Sequence, residues 1–197
     1  MKILAFTDTH ANRKSIKLLF NKVQDVDFMV CAGDISDWGR GIEPQLKSFE
    51  RFRKPLIIIH GNHESRETMQ AVCKHFDFCR FIHKASYEIN DYVFLGYGGG
   101  GFSKTDSEFE RLASLFKQHY DGKKKIILIT HAPPYGTKVD LIPGIGHRGS
   151  NSIRKFIEEV QPLLHICGHL HETFSETDTI GQTIIVNPGP EGKIIEV

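Results

Sequence analysis

The chain has 197 residues, with 25 Lys+Arg against 24 Asp+Glu and a formal net charge of +1, so no global field draws it towards nucleic acid or an anionic membrane. Hydrophobic residues at 40% and charged residues at 25% are ordinary for a globular chain long enough to bury a sizeable core, and residues 1–197 are expected to form a single domain. No apolar run is long enough to span a bilayer, and Met1 to Phe6 is too short for a signal-peptide core.

Ile3 to Phe6 reads as a first strand. Ile16, Leu19, Phe20 and Val23 follow at helical spacing and predict one buried helix face. Phe28 to Ala32 is a second strand, and a polar loop with Asp37, Trp38 and Arg40 comes next. Pro44 to Arg53 predicts a helix with Leu46, Phe49 and Phe52 on one side, ended by Pro55. Leu56 to Ile59 is a third, fully apolar strand. This β-α-β-α-β order predicts a parallel sheet with right-handed crossovers.

The middle changes character. A short helix over Glu67 to Phe76 precedes Tyr87 to Ile89 and Tyr92 to Leu95, and Asn90-Asp91 between them predicts a hairpin. Gly98 to Gly101 is loop. Phe109, Leu112, Ala113 and Phe116 mark an amphipathic helix, with Lys123 to Lys125 as a solvated rim before a strand at Ile126 to Ile129. Ala132 to Gly149 is long for a structureless connection, the mark of a functional loop. Asn151 or Ser152 caps a helix carrying Ile153, Phe156, Ile157 and Val160. Leu163 to Cys167 is a further strand. Phe174 to Glu176, Thr183 to Val186 and Ile194 to Val197 complete the set as antiparallel hairpins. The fold class expected is α/β, with two mixed β-sheets packed face to face and flanking helices.

One gesture recurs along this chain. An apolar run stops, and Asp, Asn or His follows at once: Asp8 and His10, Asp34, Asn62 and His63, His131, then His169 and His171. Nitrogen and oxygen donors without cysteine suit first-row divalent ions, namely Mn, Fe, Zn, Co or Ni. The set is too large for one such ion and suits two sharing a bridging carboxylate. Paired ions clamp the attacking and leaving oxygens of an in-line displacement and generate hydroxide near neutral pH. That is equipment for hydrolysing a phosphate ester.

Asp8-x-His10, Gly33-Asp34, Gly61-Asn62-His63-Glu64, His131 and Gly168-His169-x-His171 together resemble the motifs of the calcineurin-like metallophosphoesterases, in the same order and contexts. The resemblance runs from the first strand to the His-x-His loop and on to Asn187-Pro188-Gly189. It implies that Asp8, His10 and His171 hold one ion, that Asn62, His131 and His169 hold the other, and that Asp34 bridges them with a water or hydroxide. Manganese is the metal favoured. It also implies that His63 is catalytic, contacting the phosphate and protonating the leaving group, while Glu64 orients His63 or positions the loop. One departure matters. Family members that act on phosphoproteins carry Gly-Asp-x-x-Asp-Arg-Gly, and Trp38 stands here where that Arg would be, with Arg40 two residues further on. This counts against a protein phosphatase. Thr130-His131-Ala132-Pro133-Pro134 is more similar to the small bacterial and archaeal phosphoesterases and cyclic-nucleotide phosphodiesterases.

Other residues read more plainly. Cys31, Cys73, Cys79 and Cys167 show no zinc-site spacing and suit a reducing cytoplasm. His60, His75, His83, His119 and His165 lack a motif context and read as structural. Gly96-x-Gly98-x-x-Gly101 lacks the helix a dinucleotide site needs and reads as close backbone approach at the site's rim. Trp38 and Tyr135 are candidate walls for a ring. Arg40, Lys138 and Arg148 are candidate phosphate contacts, since Arg can grip a phosphate by two parallel bonds. The expected activity is hydrolysis of a small phosphodiester or phosphomonoester, a nucleotide being one candidate. A nuclease and a non-catalytic interaction scaffold on the same fold are the alternatives.

Overall fold

The computed structural model describes residues 1–197. The first half is β1 (Lys2–Phe6), α1 (Arg13–Lys22), β2 (Phe28–Cys31), α2 (Ile42–Glu50), β3 (Leu56–Ile58), α3 (Arg66–Cys73) and β4 (Cys79–Phe81). Then come β5 (Ala85–Ile89), β6 (Tyr92–Tyr97), α4 (Ser107–His119), β7 (Lys125–Thr130), β8 (Leu141–Ile142) and β9 (Gly146–His147). The chain ends with α5 (Asn151–Val160), β10 (Leu164–Ile166), β11 (Thr177–Ile180), β12 (Thr183–Val186) and β13 (Lys193–Glu196).

A five-stranded sheet has the order β13-β1-β2-β3-β4, and a six-stranded sheet the order β11-β12-β10-β7-β6-β5. In the first, β1 to β4 run parallel and β13 is antiparallel to β1. In the second, β12, β10, β7 and β6 run parallel, with antiparallel edges at β11 and β5. Alternation sorts the side chains into layers, because successive residues of a strand face opposite ways. Ile3, Ala5, Val30 and Ile57 meet Phe94, Ile127, Ile129 and Ile166 between the sheets. Leu4, Phe6, Met29 and Ile58 face α1, α2 and α3 with Leu19, Leu46 and Phe49. Leu95 and Leu128 face α4 and α5 with Phe109, Phe156 and Ile157. The result is the expected pair of mixed sheets with helices outside. Fully burying one such aliphatic or aromatic side chain is worth about 1.5–3 kcal/mol.

Several expectations need correction. β4 is a parallel edge strand too short to show a pattern of its own. Ser150, not Asn151 or Ser152, caps α5, its hydroxyl accepting from Ile153 N. Phe20 is 45% exposed, resting on Phe52 across the surface rather than in the core. The strand expected at Phe174 to Glu176 lies at β11 instead: Phe174 stacks on His171, and Ser175 turns at φ 70°. β12 joins its sheet parallel to β10, and β13 crosses to the other sheet, so only β11 and β12 form a hairpin there. Of the lysine rim, Lys123 pairs with Asp121 and Lys124 with Glu88, whereas Lys125 enters β7 over the Tyr92 ring.

The Ala132 to Gly149 loop is not structureless. Its organiser is Asp140, fully buried, whose carboxylate accepts the N–H groups of Gly136, Thr137 and Gly149 and pairs with His147 Nδ1 at 2.8 Å. A 3-10 turn at Lys138–Asp140 and the β8–β9 hairpin follow from that anchor. Thr137 and Asp140 form a capping box.

Candidate metal centre

All the motif residues lie just past the carboxyl ends of β1, β2, β3, β7 and β10, on one end of both sheets. Parallel strands deliver their loops to the same end, and ligands of open α/β sheets bind there. Four of the residues adopt left-handed backbone: Asp8 at φ 52°, His10 at 43°, Asp34 at 53° and His169 at 72°. Such conformations cost about 1–3 kcal/mol each and cluster at functional sites. The surrounding backbone imposes them, with Asp8 N donating to Gly33 O and His10 N to Asp34 O, both at 3.0 Å.

Glycines make the close approaches feasible. A Cβ on Gly61 would lie 1.9 Å from Asp34 Oδ1, and one on Gly168 would lie 2.1 Å from Thr7 Oγ1. Nothing in the sequence marks Thr7. Its hydroxyl donates to Asp8 Oδ2 at 2.7 Å, and His169 N donates to the same oxygen at 3.0 Å. Asp8 Oδ1 is left free. Glu64 is 5% exposed and accepts Asp34 N, Ser36 N, Gly61 N and the Ser36 hydroxyl. It therefore positions the loops rather than His63.

Two sets of donors form. Asp8, His10 and His171 bring one ligand atom each within 4.8 Å of one another, as do Asp8, Asp34 and His131. His131 Nε2 lies 2.9 Å from Asn62 Oδ1 and 3.3 Å from Asp34 Oδ2, and His169 Nδ1 lies 2.8 Å from Asn62 Oδ1. Asp34 also groups with His10 and His63, so it touches both sets. Asp8, Asp34 and His131 are buried, while Asn62 and His171 are exposed, so the cluster opens to solvent on one face.

Hydrogen bonding fixes the tautomers. His131 Nδ1 donates to Ala32 O at 2.8 Å and His10 Nδ1 to Ser36 O at 3.2 Å, so that in the neutral ring each Nε2 keeps a lone pair directed at the cluster. His10 Nε2 then faces His171 Nε2 at 3.2 Å. Asp8 Oδ1 and His169 Nε2 are buried without a partner. Electron-rich atoms thus converge with too few protons among them, an arrangement that calls for cations. The same demand shows in the acid–base behaviour. Burial pulls the His131 pKa down, but the Asp34 hydrogen bond and the charges of Asp8 and Asp34 outweigh it and lift it to about 9. Burial pushes Asp34 up, yet the hydrogen bond and charge of His131 bring it down to about 2. Asp8 raises His171. His169 falls to about 4 through burial and the His131 charge. The donor chemistry fits divalent first-row ions.

His63 differs from its neighbours. Its Nδ1 accepts the Trp38 backbone N–H at 3.4 Å, so the neutral ring carries its proton on Nε2, the atom 3.9 Å from Asp34 Oδ2. Trp38 stacks on it with centroids 4.1 Å apart. Arg40, Lys138 and Arg148 form no salt bridge; Lys138 N binds Asp178, and Arg148 Nη1 donates to the His147 carbonyl. The turn carrying Lys138 is tied to the one starting at His171 through Thr173 Oγ1 and Val139 O. Tyr135 packs on His147 and Lys104 instead of the cluster. Gly98 and Gly99 approach His60, which burial holds neutral with a pKa of about 4.

Comparison with known proteins agrees with this geometry. The chain is 31% identical to an uncharacterized protein of Methanocaldococcus jannaschii, over 99% of this chain and 91% of that one. It is 26% identical to the human metallophosphoesterase domain-containing protein 1, covering 88% of this chain and 61% of that protein. Among solved structures, TT1561 of Thermus thermophilus superimposes with a TM-score of 0.78 at 15% identity, over 95% of this chain and 88% of that one, a likeness of fold. A family model described as calcineurin-like phosphoesterase matches residues 1–173. With strand-end Asp, Asn and His residues gathered into one cluster and the match spanning all of them, the chain belongs to the calcineurin-like phosphoesterase family.

Proposed function

We propose that this protein hydrolyses a small phosphodiester or phosphomonoester, with one divalent ion held by Asp8, His10 and His171, a second by Asn62, His131 and His169, and Asp34 shared between them. The observation that carries this reading is the convergence of His131 Nε2, Asn62 Oδ1 and Asp34 Oδ2 at 2.9–3.3 Å, next to the unpartnered Asp8 Oδ1 and His169 Nε2. Bound ions, manganese being favoured, would supply Lewis acidity and activate water near neutral pH. The chain's own residues do the rest. Ala32 and Ser36 carbonyls hold the imidazoles of His131 and His10 with their lone pairs inward. Glu64 locks the loops that carry Asp34 and Asn62. In its imidazolium form, with a second proton on Nδ1 in place of the long contact from Trp38 N, His63 would give the Nε2 proton to the departing alkoxide, be left as neutral imidazole, and regain a proton from solvent. Arg40, Lys138 and Arg148, whose side chains have no carboxylate partner, are the proposed phosphate contacts.

The near-zero net charge argues against a nuclease, whose affinity rests on neutralising phosphates. Buried orphan acceptors argue against a scaffold, which has no use for them. No helix is long and apolar enough to cross a membrane. The free cysteines suit a reducing compartment, and we place the protein in the cytoplasm on that ground. The test is a panel of mono- and diesters assayed with manganese and other divalent ions. Turnover that chelation abolishes and metal restores is the expected outcome. Metal binding with no ester cleaved would overturn the reading.

A further inference from the structure

Trp38 and Phe102 are left 72% and 60% exposed. A single exposed apolar side chain is normal. These two are distinguished by where they stand. Trp38 stacks on His63, with planes 27° apart, and Phe102 packs on His169 with centroids 4.8 Å apart. His63 follows Asn62, and Asn62 Oδ1 faces His169 Nδ1 at 2.8 Å. The two rings therefore rise from adjoining parts of one cluster.

Their backbones are shaped to present them. Trp38 has φ 50°, uncommon for a bulky residue, inside a turn closed by pairing of Asp37 with Arg40. Phe102 follows Gly99 and Gly100 at φ 77° and 95°. The other exposed aromatic, Phe20, rests on Phe52 on the far helical face. Each of the two rings thus has one side against an imidazole of the cluster and most of its surface open.

We propose that Trp38 and Phe102 determine specificity by stacking on the base of a nucleoside-type phosphoester, so that such a substrate is preferred to one whose retained substituent is a simple alkyl group. This rests on the phosphoesterase reading above and narrows it. Stacking of a base on an aromatic side chain is sequence-tolerant and corresponds to roughly 5–150-fold in affinity per ring.

Trp38 is the chain's one tryptophan, so its fluorescence reports on this rim alone. Titration of the manganese-loaded protein with adenosine 5′-monophosphate is expected to quench it. Ribose 5-phosphate, which lacks only the base, should bind at least several-fold more weakly, and Phe102→Ala should weaken the nucleotide's quenching. In parallel, thymidine 5′-(p-nitrophenyl phosphate) and methyl p-nitrophenyl phosphate share a leaving group and differ in the retained substituent. Their kcat/KM ratio should favour the nucleoside ester, fall towards one in Trp38→Ala and Phe102→Ala, and recover in Trp38→Phe. Equal affinity for the two monophosphates, or a ratio unchanged in both alanine variants, would overturn the proposal. If neither ester is cleaved, the phosphoesterase reading fails, and the fluorescence titration still decides whether the rim binds a ring.

Discussion

The carboxylate of Glu64 accepts the backbone N–H of Asp34 at 3.0 Å, so the residue following His63 holds the main chain of a residue that, like Asp8, touches both donor sets. The same carboxylate takes the N–H groups of Gly61 and Ser36. Glu64→Gln presents an amide NH2 to a pocket built of donors. A charged hydrogen-bond acceptor lost at a buried site costs about 3 kcal/mol. The expected result is a lower thermal midpoint and weaker manganese binding, measured by calorimetry. An unchanged midpoint would show that the loops hold without it.

His63 is expected to act on the leaving group and not to bind metal. General acid catalysis is worth ~10²–10⁴-fold. His63→Asn should keep both ions and lose rate on that order for alkyl-like leaving groups. The loss should shrink for a p-nitrophenyl ester, whose phenolate departs without a proton. Comparing kcat/KM on the two ester types decides the matter; equal losses would assign His63 to stabilising the phosphoryl group instead.

Asp34 should matter to both ions, and His171 mainly to one. Asp34→Asn is expected to reduce manganese content at both sites and kcat by at least ~10²–10³-fold, the scale of losing one preorganised electrostatic partner. His171→Ala should leave one ion per chain by elemental analysis. In metal-free protein, Asp34→Asn should also bring the His131 pKa down from about 9, since its largest upward influence is the bond to that carboxylate. Histidine resonances followed against pH would read it.

His165 gives a prediction away from the cluster. It is fully buried in β10, its Nε2 2.8 Å from the Thr130 hydroxyl, and burial lowers its pKa to about 3 from an ordinary 6.5. The unfolded chain thus takes up a proton before the folded one does. This contribution to stability is present above pH 6.5 and is lost as pH falls towards 3, by up to about 1.4 kcal/mol per pH unit. His165→Leu, packed between Leu128 and Ile185, removes the titration. Urea midpoints of metal-free protein between pH 7.5 and 5.5 should fall less steeply in the variant, and a slope equal to the wild type would refute the assignment.

Local pattern is enough to define the strand tips that carry the cluster. Unbroken branched apolar runs such as Leu56 to Ile59 read as strands covered on both sides, and a parallel sheet sends their ends one way. That logic makes Asp8, Asp34, Asn62, His131, His169 and His171 legible as one cluster in the sequence. Contact between segments far apart in the chain is a different matter. β4, three residues long, is a strand only because β3 lies beside it. Asp140 organises its loop only because it is buried beneath it. Phe102 reads as plain loop in the sequence, because nothing in its neighbours says that His169 waits 4.8 Å away. Tautomers belong to the same class. Whether His63 keeps its proton on Nε2 depends on a Trp38 N–H, and whether His131 offers a lone pair depends on an Ala32 carbonyl distant in sequence. Periodicity is a local property written residue by residue, whereas proton placement and burial are set by whichever segments the closed fold brings within hydrogen-bond reach.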